Sequence, residues 1–364
     1  MKYLVPEYYK RFVCKSSECR HSCCEGWPVR ISMKEYYRLL GMRCTSKLRT
    51  KIDRALIINA VPSSECYAQI STDWHGLCKL HLEDGMCALQ VEQGESQLPD
   101  VCRFYPRNAK QQSDSLECSC SNSCEKVIEL LMDMKETLEF EENELSFSPE
   151  FKVNMSSLEY ESCKESVSII QNRSLTFSER FFSLGNYLKC TALNPTRPVN
   201  FYLTFQLMHL FDQYYESNHS ISEYCIESQR YFCIEGKDKL SSNDLLLMTE
   251  KYDIALLHLE SILPNLSLLL EQLIVNHMFY INFPYASGKE NDADSFLSLV
   301  ILHAFLRINI LGYMSDKTES ADLVNCLAAM FRMIEHSNFN YVAVSLFEMN
   351  QSSYEDCVPE MIYL

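Results

Sequence analysis

Four thiols fall within eleven positions near the start of the chain, Cys14, Cys19, Cys23 and Cys24 in FVCKSSECRHSCCEGW. Cysteines this dense serve as disulfides, as metal ligands or as a redox centre. Of the 18 cysteines in 364 residues, twelve lie in the first 124 positions and six in the remaining 240, so the excess belongs to one segment. The opening MKYLVPEYYKRF lacks the apolar run of a signal peptide. A cytoplasmic chain is therefore expected, in which thiols stay reduced and clustered ones are metal-bound or catalytic.

Further thiols follow as Cys78-x8-Cys87 and as Cys102 in LPDVCRFYPR. Thiolates bind zinc tetrahedrally and bind the irons of iron–sulfur clusters, and either use requires short loops to return the sulfurs to one point. Neighbouring side chains point in different directions, so Cys23 and Cys24 do not both bind one metal atom; one serves a second site or packs internally. Isolated Cys44 and Cys66 read as buried thiols. His75 and His81 flank Cys78 and read as surface groups or as groups outside the ligand set. Trp27 reads as a cover for the segment, and Arg103 and Arg107 as charge partners for it or as surface ion pairs.

The scaffold that must position these residues reads as mainly α. The chain is 47% hydrophobic and 12% aromatic, with nine glycines and eleven prolines, which favours long helices and about two domains. SMKEYYRLLGM predicts a short helix with Ser32 as N-cap and Gly41 beyond its last turn. SCEKVIELLMDMKETLEF predicts a helix closing the first domain, and the acidic EFEENELSFSPEF a hairpin or a linker. The expected division is a small irregular cysteine-rich metal-binding domain over 1–140 and an all-α helical domain over 141–364.

In that second part SVSIIQNRSLTFSERFFSLGNYL, PVNFYLTFQLMHLFDQYYES, DLLLMTEKYDIALLHLESIL and PNLSLLLEQLIVNHMFYINF carry apolar residues at helical spacing, with Pro264 in a first turn. FLSLVILHAFLRINILGYM is interrupted by His303, Arg307 and Asn309 and reads as a buried helix rather than a membrane insertion. Glu271 and Asn276, five positions apart, do not share a helix face and read as polar edges of a core helix. A net charge of −16 argues against nucleic acid and favours a protein partner.

Taken in order, FVCKSSECRHSCCEGWPV, CKLHLEDGMCALQ, LPDVCRFYPR and SLECSCSNSCEKVIELL resemble the flagellin lysine-N-methylase family, whose front half is similar to a wider group of zinc- or iron-chelating cysteine-cluster proteins. IIQNRSLTFSERFFSLG and LEQLIVNHMFYINFPY extend the resemblance into the helical half. It implies transfer of methyl groups from S-adenosylmethionine to lysines of flagellin, by a protein with an iron–sulfur cluster of the 4Fe–4S kind, or zinc. The ligands it implies are Cys14, Cys19, Cys23, Cys24, Cys78, Cys87 and Cys102, with Cys124 or its neighbour Cys120 as the last; CSCSNSC offers Cys118, Cys120 and Cys124 where one is needed.

The residues agree with this only in part. A lysine with its usual pKa of about 10.4 is protonated and cannot attack a methyl group, so the amine must be desolvated or offered a base. No G-x-G occurs, which disfavours a Rossmann-type cofactor site, and Cys14-x4-Cys19-x3-Cys23 departs from the Cys-x3-Cys-x2-Cys loop of radical enzymes. The alternatives are a non-enzymatic zinc- or iron-chelating protein and an iron–sulfur redox protein.

Overall fold

The computed structural model describes residues 1–364 except 21, 27–28, 113–114, 149–150, 191–200, 216–220, 286–290 and 351–352. Its strands are β1 (Lys2–Pro6), β2 (Val29–Ile31), β3 (Leu56–Ile58), β4 (Ala68–Ile70), β5 (Arg107–Gln112), β6 (Ser115–Cys120), β7 (Phe140–Glu144) and β8 (Phe151–Val153). Helices α1 (Met33–Leu40), α2 (Ser46–Ala55), α3 (Ala88–Gln93) and α4 (Asp100–Phe104) lie between β2 and β5, and α5 (Glu125–Met132) follows β6. After β8 the chain is helical: α6 (Ser157–Ile170), α7 (Phe177–Tyr187), α8 (Tyr202–Tyr215), α9 (Ser222–Phe232), α10 (Ser242–Ile262), α11 (Leu266–Ile281), α12 (Asp292–Tyr313), α13 (Ser320–His336), α14 (Phe339–Met349) and α15 (Tyr354–Tyr363). The mainly helical expectation holds.

The boundary expected near residue 140 does not. One compact unit is Val13–Arg107, and the other joins Met1–Phe12 to Asn108–Leu364. The reason is strand pairing. KYLVP alternates so as to bury Tyr3 and Val5 completely, and β1 then lies parallel to β6, with Leu4 opposite Glu117, and antiparallel to β7. EFEENELSFSPEF is neither a hairpin nor a linker, because β7 and β8 occupy opposite edges of a five-stranded sheet ordered β7-β1-β6-β5-β8. That sheet belongs to the unit expected to be all-α. The helix expected to close the cysteine-rich part, α5, also belongs there.

The smaller unit has a three-stranded antiparallel sheet, β2-β4-β3, packed with α1 to α3 around Ile31, Leu39, Ile52, Ile70 and Leu89. Ser32 caps α1 as expected, its hydroxyl accepting from the Glu35 N–H while Glu35 reaches back to the Ser32 N–H.

In the larger unit α12 runs through the core. It is long and apolar enough to cross a membrane, yet 94% of its most apolar window is buried within the fold. Gly312 lets α9 approach it, since a Cβ there would meet the Cα of Ser228 at 2.7 Å. The stretch around SVSIIQNRSLTFSERFF breaks after Ile170, and Thr176 with Glu179 forms the capping box that starts α7. Pro264 precedes α11 rather than sitting in its first turn.

Glu271 and Asn276 on α11 prove to be buried, at 2% and 0% exposure. Glu271 accepts from Arg173 at 2.9 Å and from Arg180 at 2.5 Å. Asn276 accepts from the Tyr8 hydroxyl at 2.7 Å and donates to the Cys120 carbonyl at 2.9 Å and to Asn122 at 2.7 Å. Removing one partner from a buried ionic network costs about 3–5 kcal/mol. Glu271→Ala is therefore expected to lower stability by that amount in urea unfolding, and Glu136→Ala, at the exposed edge of the same network, by less than about 1 kcal/mol.

A second buried carboxyl yields a pH dependence. Asp212 on α8 is 2% exposed, and burial pushes its pKa up to about 7 although Asn309 donates to it at 3.3 Å. The native state thus holds the proton more tightly than the unfolded chain. The stabilisation is complete below about pH 4 and is lost as the pH rises through about 7, on the order of 4 kcal/mol in total. Asp212→Asn is expected to remove this decline when unfolding free energies are compared from pH 4 to 8.

Candidate functional site

Within the smaller unit the chain returns cysteines from four segments to one place. Cys23 and Cys24 stand in the turn before β2, Cys78 in the loop after β4, Cys87 immediately before α3, and Cys102 within α4. The loops are held by backbone pairing. The Cys78 N–H donates to the Cys24 carbonyl at 2.7 Å, and isolated bridges join Glu25 to Leu77, Thr72 to Cys78 and His81 to Cys87. Between the last two, Gly85 turns with a φ of 83°, and a Cβ there would lie 3.2 Å from the Cα of Ser17. The glycine thus permits both the turn and its close approach to the segment carrying Cys14 and Cys19.

Cys23, Cys24, Cys78, Cys87 and Cys102 line a single cavity of about 80 Å³, with Val29, Ile70, Leu80, Leu89 and Leu98 as apolar walls. All five are thiols. Their acidities diverge as expected for sulfurs crowded into a small space, with Cys78 buried, Cys24, Cys87 and Cys102 half-buried and Cys23 exposed. The Cys24 thiol is pulled down by hydrogen bonds from Cys23, then from Cys78 and, against the effect of burial, from Ser22. Cys23 and Cys78 rise because each donates to Cys24 and loses hydration, and burial raises Cys102. Burial raises Cys87 too, opposed by the Gln90 and Leu89 N–H groups at the start of α3. A negative charge on any one of these sulfurs opposes ionisation of its neighbours, and a bound cation would relieve that opposition.

The other expected ligands fall elsewhere. Cys14 is exposed, accepts from the Ser16 N–H at 3.4 Å and adds to the field on Cys23; Cys19 is half-buried after the turn at Ser16–Glu18. Neither lines the cavity. Cys124 lies in the other unit at the N-terminus of α5, packed against the large core, and Cys118 and Cys120 are buried in β6. Cys44 and Cys66 stand outside the cavity, bonded by Arg49 at 3.6 Å and Asn59 at 3.3 Å. His75 is exposed beside Trp74, whereas His81 acts on Cys24. Arg103 pairs with Asp100 at 2.6 Å and covers the Phe104 ring. Trp27, expected to shield the segment, lies outside the described residues.

Among the described residues no three His, Cys, Asp or Glu side chains are grouped so as to hold a metal ion. Donor type and convergence nevertheless suit a soft, thiophilic cation better than any oxygen-seeking one. Cadmium added to the reduced protein is expected to produce thiolate-to-metal charge-transfer absorption. Cys24→Ser or Cys78→Ser should cut it by at least half, and Cys44→Ser should leave it unchanged.

No family model matches the chain, and no solved structure does. Over 128 residues the chain is 25% identical to a protein named lysine-N-methylase in Salmonella typhimurium, which is 35% of this chain and 32% of that relative. A lysine-N-methylase of Salmonella choleraesuis is 24% identical over the same shares. The chain thus spans about a third of the length of these two relatives. The flagellar biosynthetic protein FliU of Salmonella muenchen is 23% identical over 128 residues, 35% of this chain and 75% of that protein. The relationship to lysine-N-methylases is distant.

Proposed function

We propose that the protein is an S-adenosylmethionine-dependent protein-lysine methyltransferase acting on flagellin, with a metal centre in its cysteine-rich unit. The observation that carries the reading is the match to two relatives named lysine-N-methylase, and the name of the third, a flagellar protein, supports the substrate. The five thiols on one cavity support the metal centre. Four of the five thiols, Cys78, Cys87 and Cys102 with either Cys23 or Cys24, would hold it, and the proposed species is an iron–sulfur cluster of the 4Fe–4S kind, with zinc as the alternative. Such a centre would supply a fixed cross-link between the loop segments or, where only three thiols ligate, an open iron as a coordination point for a ligand.

The chain's own residues have separate work to do. An acceptor amine must be stripped of water and of its proton before it attacks a sulfonium methyl group. The 80 Å³ cysteine cavity is too small for that purpose, since ligand sites run to roughly 300–1,000 Å³. The second reading, a non-enzymatic zinc- or iron-chelating protein, is favoured by the fact that all five cavity thiols belong to one compact unit, Val13–Arg107.

Anaerobic purification followed by iron, sulfide and zinc analysis, and then incubation with S-adenosylmethionine and flagellin, separates the two. Iron and sulfide in the protein and methyl-sized increases in flagellin mass are expected. Zinc alone would remove the iron–sulfur assignment, and an unchanged flagellin mass with the metal present would remove the activity.

A further inference from the structure

The larger unit carries a cleft of about 600 Å³, lined by Phe140 and Met278 and also by Gln112, Glu117, Lys164 and Glu165. Its buried charges face one another: Glu117 accepts from the Tyr160 hydroxyl at 2.8 Å and lies 3.5 Å from the Lys110 ammonium. The cavity of the smaller unit differs, because five oxidisable groups of one kind meet there.

The backbone brings two of these sulfurs together. Glu25 pairs antiparallel with Leu77, and one step along, this register sets Cys24 opposite Cys78. The pairing is held on both sides of the bridge, by the Cys78 N–H on the Cys24 carbonyl at 2.7 Å and by the Gly26 N–H on the Gly76 carbonyl at 3.0 Å. Residues opposed at a hydrogen-bonded antiparallel position have Cα atoms about 5.5 Å apart, and a disulfide spans about 4.4–6.8 Å. The side chains meet as well, since the Cys78 thiol donates to the Cys24 sulfur. Cys23 donates to the same sulfur. Consecutive Cα atoms, however, are about 3.8 Å apart, which is below the disulfide range. Cys78 is thus the partner that the geometry favours.

We propose that Cys24 and Cys78 form a reversible disulfide when the metal-free unit meets hydrogen peroxide, and that this bond keeps metal out until a thiol reductant opens it. Cys24 reacts first, being half-buried where Cys78 is buried. Its sulfur attacks one peroxide oxygen, the O–O bond breaks, and a sulfenic acid forms while the thiol proton leaves in a water molecule. The Cys78 sulfur then attacks the sulfenic sulfur. The S–S bond forms, the S–O bond breaks, and the Cys78 proton leaves in a second water. The two sulfurs together lose two electrons and the peroxide gains them. A thiol reductant reverses the bond by exchange and is itself oxidised to a disulfide. The cavity, at about 80 Å³, has room for a peroxide about the size of two waters, each of roughly 30 Å³. The disulfide follows from the strand register itself, whereas its effect on metal rests on the metal-centre reading, in which Cys78 is a ligand whichever of Cys23 and Cys24 completes the set.

Treatment of the reduced, metal-free full chain with hydrogen peroxide, alkylation of the remaining thiols and non-reducing peptide mass spectrometry test the proposal. A peptide pair joined through Cys24 and Cys78 is expected as the main product, and dithiothreitol should reverse it. Cys23→Ser should keep the cross-link and Cys24→Ser should abolish it. Fragmentation of the wild-type peptide pair locates the bond without any variant, so a misfolded variant would not spoil the test. The oxidised protein should show at most half the cadmium charge-transfer absorption of the reduced protein, with recovery after dithiothreitol. A Cys23–Cys24 bond or a bond to any other cysteine as the main product, no reducible bond, or undiminished cadmium absorption in the cross-linked protein would overturn the proposal. Failure of the underlying reading looks different. A Cys24–Cys78 bond that forms as expected in a protein whose reduced form takes up no cadmium, iron or zinc keeps the disulfide site and removes the metal centre.

Discussion

The larger unit is organised by the need to match polar groups buried on α11. Eleven residues of that helix are buried, Glu271, Gln272, Asn276 and His277 among them. A buried polar group without a partner costs more than an ordinary hydrogen bond contributes, so each of these dictates what packs against it. Glu271 requires the arginines of the α6–α7 region. Asn276 requires Tyr8, 268 positions away, and the end of β6. Gln272 donates to the Glu136 carbonyl at 2.7 Å, and His277 meets Glu335 of α13 at 2.9 Å. The end of the helix adds a further demand. The last carbonyls of an α-helix have no partner within it, and here Asn108 donates to that of Tyr280 at 3.0 Å and the Lys110 ammonium to that of Phe279. A cation at this end also suits the helix dipole.

This set of demands explains the division of the chain. Residues 1–12 and the sheet strands after residue 107 supply Tyr8, Asn108, Lys110, Cys120 and Asn122, so the larger unit is incomplete without them. The same demands lead to the cleft. Lys110, drawn to the end of α11, leaves Glu117 a long 3.5 Å contact, and Asn282, which closes the helix at a φ of 61°, occupies the Gln112 amide. The Gln112 carbonyl oxygen, buried without a donor, is therefore a by-product of capping one helix.

Much of the helical scaffold was legible because its signals are local. Ser32 with Glu35 and the apolar spacing of α8, α10, α11 and α12 need no knowledge of the rest of the chain. Residue type drew attention to the cysteine-rich segment, but it did not separate Cys23, Cys24, Cys78, Cys87 and Cys102, which line one cavity, from Cys14, Cys19 and Cys124, which do not. The pairing of β1 with β6 and β7 was not, because it joins positions more than a hundred apart and because FEENE, an acidic edge strand, has the composition of a solvated linker. Glu271 and Asn276 read as polar edges because helical periodicity reports which residues share a face and says nothing of what a polar residue will meet. Cys124 shows the same limit for residue type. Its sequence neighbourhood matches that of a ligand, yet its position before α5 sets it against an apolar core.

The cysteine cavity and the cleft of about 600 Å³ belong to different compact units. The cysteine cavity gathers soft donors, which suit a thiophilic cation, and at about 80 Å³ leaves no room for an organic substrate. The cleft has the room, and apolar side chains such as Phe140 and Met278 line it together with the charged Lys164 and Glu165.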